Sequence, residues 1–163
     1  MGDGIDHILQ QWGKERPDLD VSPMAVFGRL SRVARLADTR LQHSFSKRDL
    51  DPASFDVLAT LRRSGAPFRL TPTQLQQSSM VTSSAIAQRL NRLEARGLIR
   101  REPSTLDGRV IDVGLTDEGL RLIEDALPDH LMNERQLLSK LSISKRKQLA
   151  SLLSELFDSI DAG

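Results

Sequence analysis

Gln88 and Asn91 stand three residues apart, with Ser84 four residues before the first and Ala95 four after the second. At about 100° per residue this spacing collects all four on one side of a helix, and it collects Ile86, Leu90 and Leu93 on the other. A primary amide carries a donor and an acceptor side by side, so Gln88 and Asn91 can each close a bidentate pair on an adenine edge. Ser83 and Ser84 add hydroxyls for bases or phosphates, at a helix start that itself favours an anion. Charge gathers on the same stretch. Between Thr82 and Arg109, six arginines (Arg89, Arg92, Arg96, Arg100, Arg101, Arg109) face Glu94, Glu102 and Asp107, a local excess of three in a chain of formal net charge +1. That distribution suits a protein that meets phosphates with one surface only.

The elements that must hold these residues are legible on either side. Thr71-Pro72-Thr73-Gln74 combines an N-cap, a first-turn proline and a glutamine at the third position, which is a capping box opening a short helix. Ser78 to Val81 supplies a turn, and Thr82 caps the second helix, which runs to Gly97 as its C-cap. Leu98 to Glu102 and Arg109 to Leu115 are β-rich runs joined through an Asp107-Gly108 turn signal, so they predict a hairpin with Arg109 near its tip. An arginine there can enter a narrow, A·T-rich minor groove. Helix, turn, helix and basic hairpin make a winged helix-turn-helix, placed over residues 52–115.

The flanks are helical. Ile5, Ile8, Leu9 and Trp12 share one face of a short helix ending before Arg16-Pro17. Ser22 as N-cap and Pro23 at the first helical position open a long helix carried to about Lys47 by Phe27, Leu30, Val33, Ala37, Leu41 and Phe45. Asp51-Pro52 caps the next, with Phe55, Leu58 and Leu61 facing a core, Asp56 beside them, and Gly65 and Pro67 ending it. Thr116 caps a further helix reaching Leu138 and Leu141, in which Pro128 predicts a kink, and a last helix begins near Ser142. The expected fold is mainly α with a small β wing, one domain over 1–163. Its outer helices, 1–47 and 116–163, carry apolar faces that a second copy of the chain would cover.

Several function classes are excluded or disfavoured. No run approaches the roughly 18 apolar residues of a membrane span, and residues 1–17 have neither the basic flank nor the apolar core of a signal peptide, which predicts a cytoplasmic protein without membrane partners. Zero cysteines remove thiol nucleophiles and thiolate metal sites. His7, His43 and His130 are scattered with no carboxylate at metal-ligand spacing, and no phosphate loop or nucleophile motif is present, so no metal, cofactor or catalytic centre is expected. The alternative to sequence-specific DNA binding is a winged-helix interaction module or an enzyme on that fold.

Leu70-Thr71-Pro72, Arg89-Leu90-Asn91-Arg92-Leu93-Glu94, Gly97-Leu98-Ile99, the Asp107-x-Arg109 wing and Leu115-Thr116-x-x-Gly119 together resemble the MarR family of transcriptional regulators. Gly108 departs from the pattern, standing where many relatives have a second wing arginine. With Trp12, Arg16-Pro17-Asp18-Leu19-Asp20 and Ser22-Pro23-Met24, the chain is similar to the urate-responsive branch, which carries an additional first helix. That resemblance implies a homodimeric repressor of a divergent gene, bound to a pseudo-palindromic duplex through Thr82, Ser83, Ser84, Gln88, Asn91 and Arg109. It also implies release by a small anionic effector, urate or a related purine, held by Trp12, Asp56, Arg89 and Arg101. The chemistry is consistent: an indole stacks on a planar ring, arginines pair with an anion, and Asp56 can hold Arg89 while the pocket is empty.

Overall fold

In chain order the elements are α1 (Ile5–Glu15), α2 (Ser22–Ser46), α3 (Pro52–Arg63), β1 (Arg69–Leu70), α4 (Pro72–Ser78), α5 (Ser83–Ala95), β2 (Ile99–Pro103), β3 (Ile111–Leu115), α6 (Asp117–Leu137) and α7 (Ile143–Asp161). The computed structural model describes residues 3–80, 83–104 and 108–162, leaving the side chains of His43 and of residues 83–85 outside the description. The fold is mainly helical with one small antiparallel sheet, as expected, and it divides into two compact units at His43 and Ser44.

In the first unit, Gly28 is what lets α1 lie close to α2. A Cβ at Gly28 would stand 2.9 Å from Ile5 Cδ1, and Ile5 is buried. Arg29 ties the same end down through Asp3 and Asp6, each at 2.7 Å. The start of α2 differs from expectation. Ser22 already lies inside the helix, and its N–H and hydroxyl donate to the Asp20 carboxylate at 2.9 and 3.1 Å. Asp20 therefore secures a helix end that the Ser-Pro pair had suggested Ser22 would cap.

The second unit is organised on α3. Asp51 caps it by accepting the Ser54 N–H, and Val57, Leu58 and Leu61 bury completely with Leu75, Leu93, Ile99, Val113 and Ile123. The capping box of α4 is present in both directions, Gln74 N–H to Thr71 Oγ1 at 3.2 Å and Thr71 N–H to Gln74 Oε1 at 2.9 Å. The hairpin pairs Ile99 with Leu115 and Pro103 with Ile111. A third strand, β1, joins it on the other edge of β3. Two residues, Arg69 and Leu70, have no readable alternation, so this strand exists only through its pairing.

At the far end of α5, Gly97 takes φ 68°. The Leu98 N–H reaches the Leu93 carbonyl at 3.0 Å and the Gly97 N–H reaches Glu94 at 2.8 Å, a Schellman closure. Thr116 then accepts the Gly119 N–H and donates its hydroxyl to the Gly97 carbonyl at 2.6 Å, fastening α6 to the end of α5. Helix α6 runs through Pro128 and ends at Leu137, so Leu141 lies in the turn before α7 rather than on the helix. Ser142 caps α7. None of the described residues of α7 is buried, and Leu152, Phe157 and Ile160 are exposed. Among the described residues, no helix is long and apolar enough to cross a membrane.

Candidate nucleic-acid interface

Helix α5 has the two faces its periodicity demands. Ile86, Leu90 and Leu93 are buried against the core, whereas Gln88, Asn91 and Ala95 are exposed. Ser83 and Ser84 form its first turn, and their side chains lie outside the description. Thr82 and Asp107 fall outside the described residues. Arg109 is exposed in the turn leading to β3. Beside it, a Cβ at Gly108 would meet nothing within 4 Å among the described residues.

Asn91 is not simply presented to solvent. Arg101 on β2 donates from Nη2 to Asn91 Oδ1 at 2.7 Å, places Nη1 3.3 Å from Glu94 Oε2, and sends its backbone N–H to Glu94 Oε1 at 3.2 Å. A wing strand residue thus grips the outer face of α5 at two successive polar positions. Arg101 is therefore engaged at Asn91 and Glu94 rather than turned toward Asp56.

Arg89 does turn back toward the body, as its position on α5 predicts, but its acid is not Asp56. Its Nε lies 3.1 Å from Asp51 Oδ1, and Arg92 Nη1 lies 3.6 Å from Asp51 Oδ2. The Arg89 Nε is buried and makes no aligned hydrogen bond, so the attraction to Asp51 is coulombic. Asp56, one turn further along α3, accepts the Met80 N–H at 2.7 Å and approaches Arg63 at 4.0 Å. It holds Met80, just beyond the end of α4. Arg96 completes the edge of α5, reaching the Asp49 carbonyl, the Arg48 carbonyl at 3.3 Å and the Asp49 carboxylate at 3.8 Å.

Asp51 and Glu94 are the residues the sequence did not single out. Asp51 beside Pro52 has the signature of a helix cap, and a cap uses only part of a carboxylate's four lone-pair sites. Arginines at 89, 92 and 96, with spacings of three and four, were the available signal that one acid would face several of them. Trp12 lies on α1 in the first unit and is 42% exposed. Asp56, Arg89 and Arg101 share the second unit, each with its own partner. His130 stacks on Phe45 and pairs with Glu134 at 3.1 Å, a packing role. Among the described residues, no group of histidines and carboxylates is placed to hold a metal.

The HTH-type transcriptional regulator PecS of Dickeya dadantii (strain 3937) is 45% identical over 152 residues, covering 93% of this chain and 92% of its own. The chain belongs to the MarR family. A profile described as MarR family matches residues 48–110, the turn before α3 through the wing. Sco3205, a MarR family transcriptional regulator from Streptomyces coelicolor solved in complex with DNA, has the same fold at a TM-score of 0.77 and 24% identity, over 86% of this chain and 89% of its own. So has BpsR of Bordetella bronchiseptica, whose DNA binding is regulated by 6-hydroxynicotinic acid, at 0.74 and 23%, over 82% and 93%. This MarR-family chain is a DNA-binding transcriptional regulator, and the relatives are regulators rather than enzymes.

Proposed function

We propose that the protein is a homodimeric, cytoplasmic repressor that a small anionic metabolite releases from a pseudo-palindromic duplex. Residues 52–115 form its DNA-binding region, and 1–47 and 116–163 supply the dimerisation helices within one domain. The observation that carries this reading is α5 itself: an exposed Gln88 and Asn91 face backed by buried Ile86, Leu90 and Leu93, with the exposed Arg109 on the neighbouring wing. Gln88 and Asn91 read base edges in the major groove, Thr82, Ser83 and Ser84 meet the groove entrance, and Arg109 reaches the flanking minor groove. Two such helices sit about 34 to 36 Å apart on successive grooves. The unburied apolar side chains of α7 support a second copy as their cover.

The effector reading assigns Trp12, Asp56, Arg89 and Arg101 to urate or a related purine. Arg89 favours it, since its buried Nε makes no aligned hydrogen bond to Asp51 and retains electrostatic capacity for an anion. The regulation of BpsR by an aromatic acid is a parallel on the same fold. The test is selection of a duplex from a random pool, followed by titration of that duplex and a scrambled one across salt, with and without urate. Preference for a palindromic site that weakens with urate supports the repressor. Equal affinity for both duplexes ends the sequence-specific reading, and urate-insensitive binding ends the effector assignment.

A further inference from the structure

Arg89 and Arg92 on α5, with Arg96 just past its end, lie along one edge of the helix, and all three grip one four-residue turn, Arg48 to Asp51, between α2 and α3. Asp51 takes two of them, at 3.1 and 3.6 Å, while its oxygens also accept the Ser54 N–H and hydroxyl at 2.9 and 3.1 Å. The turn is anchored in its other direction on α6. Arg48 donates to the Asp129 carboxylate at 2.7 Å and to the Asp125 carbonyl at 2.9 Å. The gripped edge of α5 adjoins its polar face, because Arg92 follows Gln88 by four residues and so stands beside it.

We infer that Asp51 is a specificity-determining positioning residue, which holds the Arg89 and Arg92 guanidiniums on the body of the protein and so keeps them from sequence-blind contacts with DNA phosphates. Half-exposed ion pairs contribute little to global stability, so the consequence of this one lies in where two cations point. A guanidinium paired with a carboxylate is neutralised locally and directed away from the backbone. One released beside Gln88 can reach a phosphate, and phosphate contacts raise affinity for every sequence alike. The clamp rests on the assignment of α5 to the DNA. It shares Arg89 with the effector reading, with Asp51 in the role that Asp56 was expected to play toward that arginine.

Asparagine at this position keeps a helix cap as good as aspartate while removing the charge. In the full chain, on a duplex selected by the wild-type protein and its scrambled counterpart, Asp51→Asn should melt close to wild type. Its ratio of specific to scrambled affinity should fall about tenfold, and the salt dependence of its scrambled-duplex binding should steepen by about one contact per subunit. Arg92→Gln in the same background should return the slope toward wild type, because Arg92, the more exposed of the two released cations, is then gone. A wild-type ratio and slope in Asp51→Asn would overturn the clamp. So would losses of melting temperature and binding confined to Asp51→Ala, with Asp51→Asn at wild-type values, since Asp51 would then be a cap alone. Absence of sequence preference in the wild-type protein would instead remove the DNA assignment of α5, and the clamp with it.

Discussion

Arg101 donates to Asn91 Oδ1 at 2.7 Å, so the acceptor half of an amide on the exposed face of α5 is occupied by a residue of the wing strand β2. One of the two lone pairs of that oxygen is then used and the amide is held by Arg101, whereas a bidentate adenine contact requires both halves of the amide free to align with the base. Arg101→Met should free the amide and shift selection at one position per half-site toward adenine by about tenfold, within the range of a bidentate pair. Selection from a random duplex pool reads this directly. An unchanged preference would mean that Asn91 does not read a base.

The wing is open to change in both directions. Arg109→Ala should weaken binding to all duplexes and flatten the salt slope by about one per wing. Gly108→Arg should steepen it by a similar amount, because a Cβ there would meet nothing within 4 Å among the described residues. Equilibrium titrations at several salt concentrations compare the two.

Gly119 has a steric role. A Cβ there would stand 1.9 Å from the Leu98 carbonyl oxygen, which is backbone and cannot swing aside. Gly119→Ala should cost about 3 kcal/mol, the upper part of the overpacking range, despite alanine's better helix propensity. Urea unfolding monitors it, and a stabilised variant would show that α6 can lift from β2 at no cost.

Asp20 is held below the ordinary aspartate value of 3.8 by the Ser22 N–H, then by the Ser22 hydroxyl, with burial working weakly the other way. A carboxyl with a lowered folded value contributes stability that is present above the unfolded value and is lost as pH falls through the folded one. The start of α2 should therefore loosen in acid, at and below the ordinary range. The protection of the Ser22 amide, taken relative to its intrinsic exchange rate at each pH, should fall there in the native protein, and Asp20→Ala should remove the dependence.

Trp12 is the only tryptophan, so intrinsic fluorescence reports one position. Urate titration should quench it, and Arg89→Ala or Trp12→Phe should blunt urate-driven release of DNA at least tenfold, the loss of one charged or stacking partner. Full release in both variants would remove these residues from the effector site.

Local signals carried far in this chain. Asp51-Pro52, Thr71-Pro72-Thr73-Gln74, Thr116 and Ser142 are each short-range caps, and each forms in the structure because its hydrogen bonds close within three or four residues. Ser22 was the exception, displaced by Asp20 two residues earlier, since both types cap well and composition does not choose between them. The faces of α5 were legible for the same reason, as 3.6-residue periodicity needs no knowledge of what lies opposite.

What the sequence by itself determined is thus the succession of elements, the winged helix-turn-helix layout and the residues presented on the outer face of α5. Only the tertiary structure decided the strand β1, the need for Gly119 against Leu98, and the partners of the charged groups. Arg89 chose Asp51 over Asp56, and Arg101 chose Asn91 and Glu94. A guanidinium on a long side chain can reach acids on several elements. Which one it meets depends on how α3, α5 and β2 are set against one another, a separation in space that spacing along the chain does not encode.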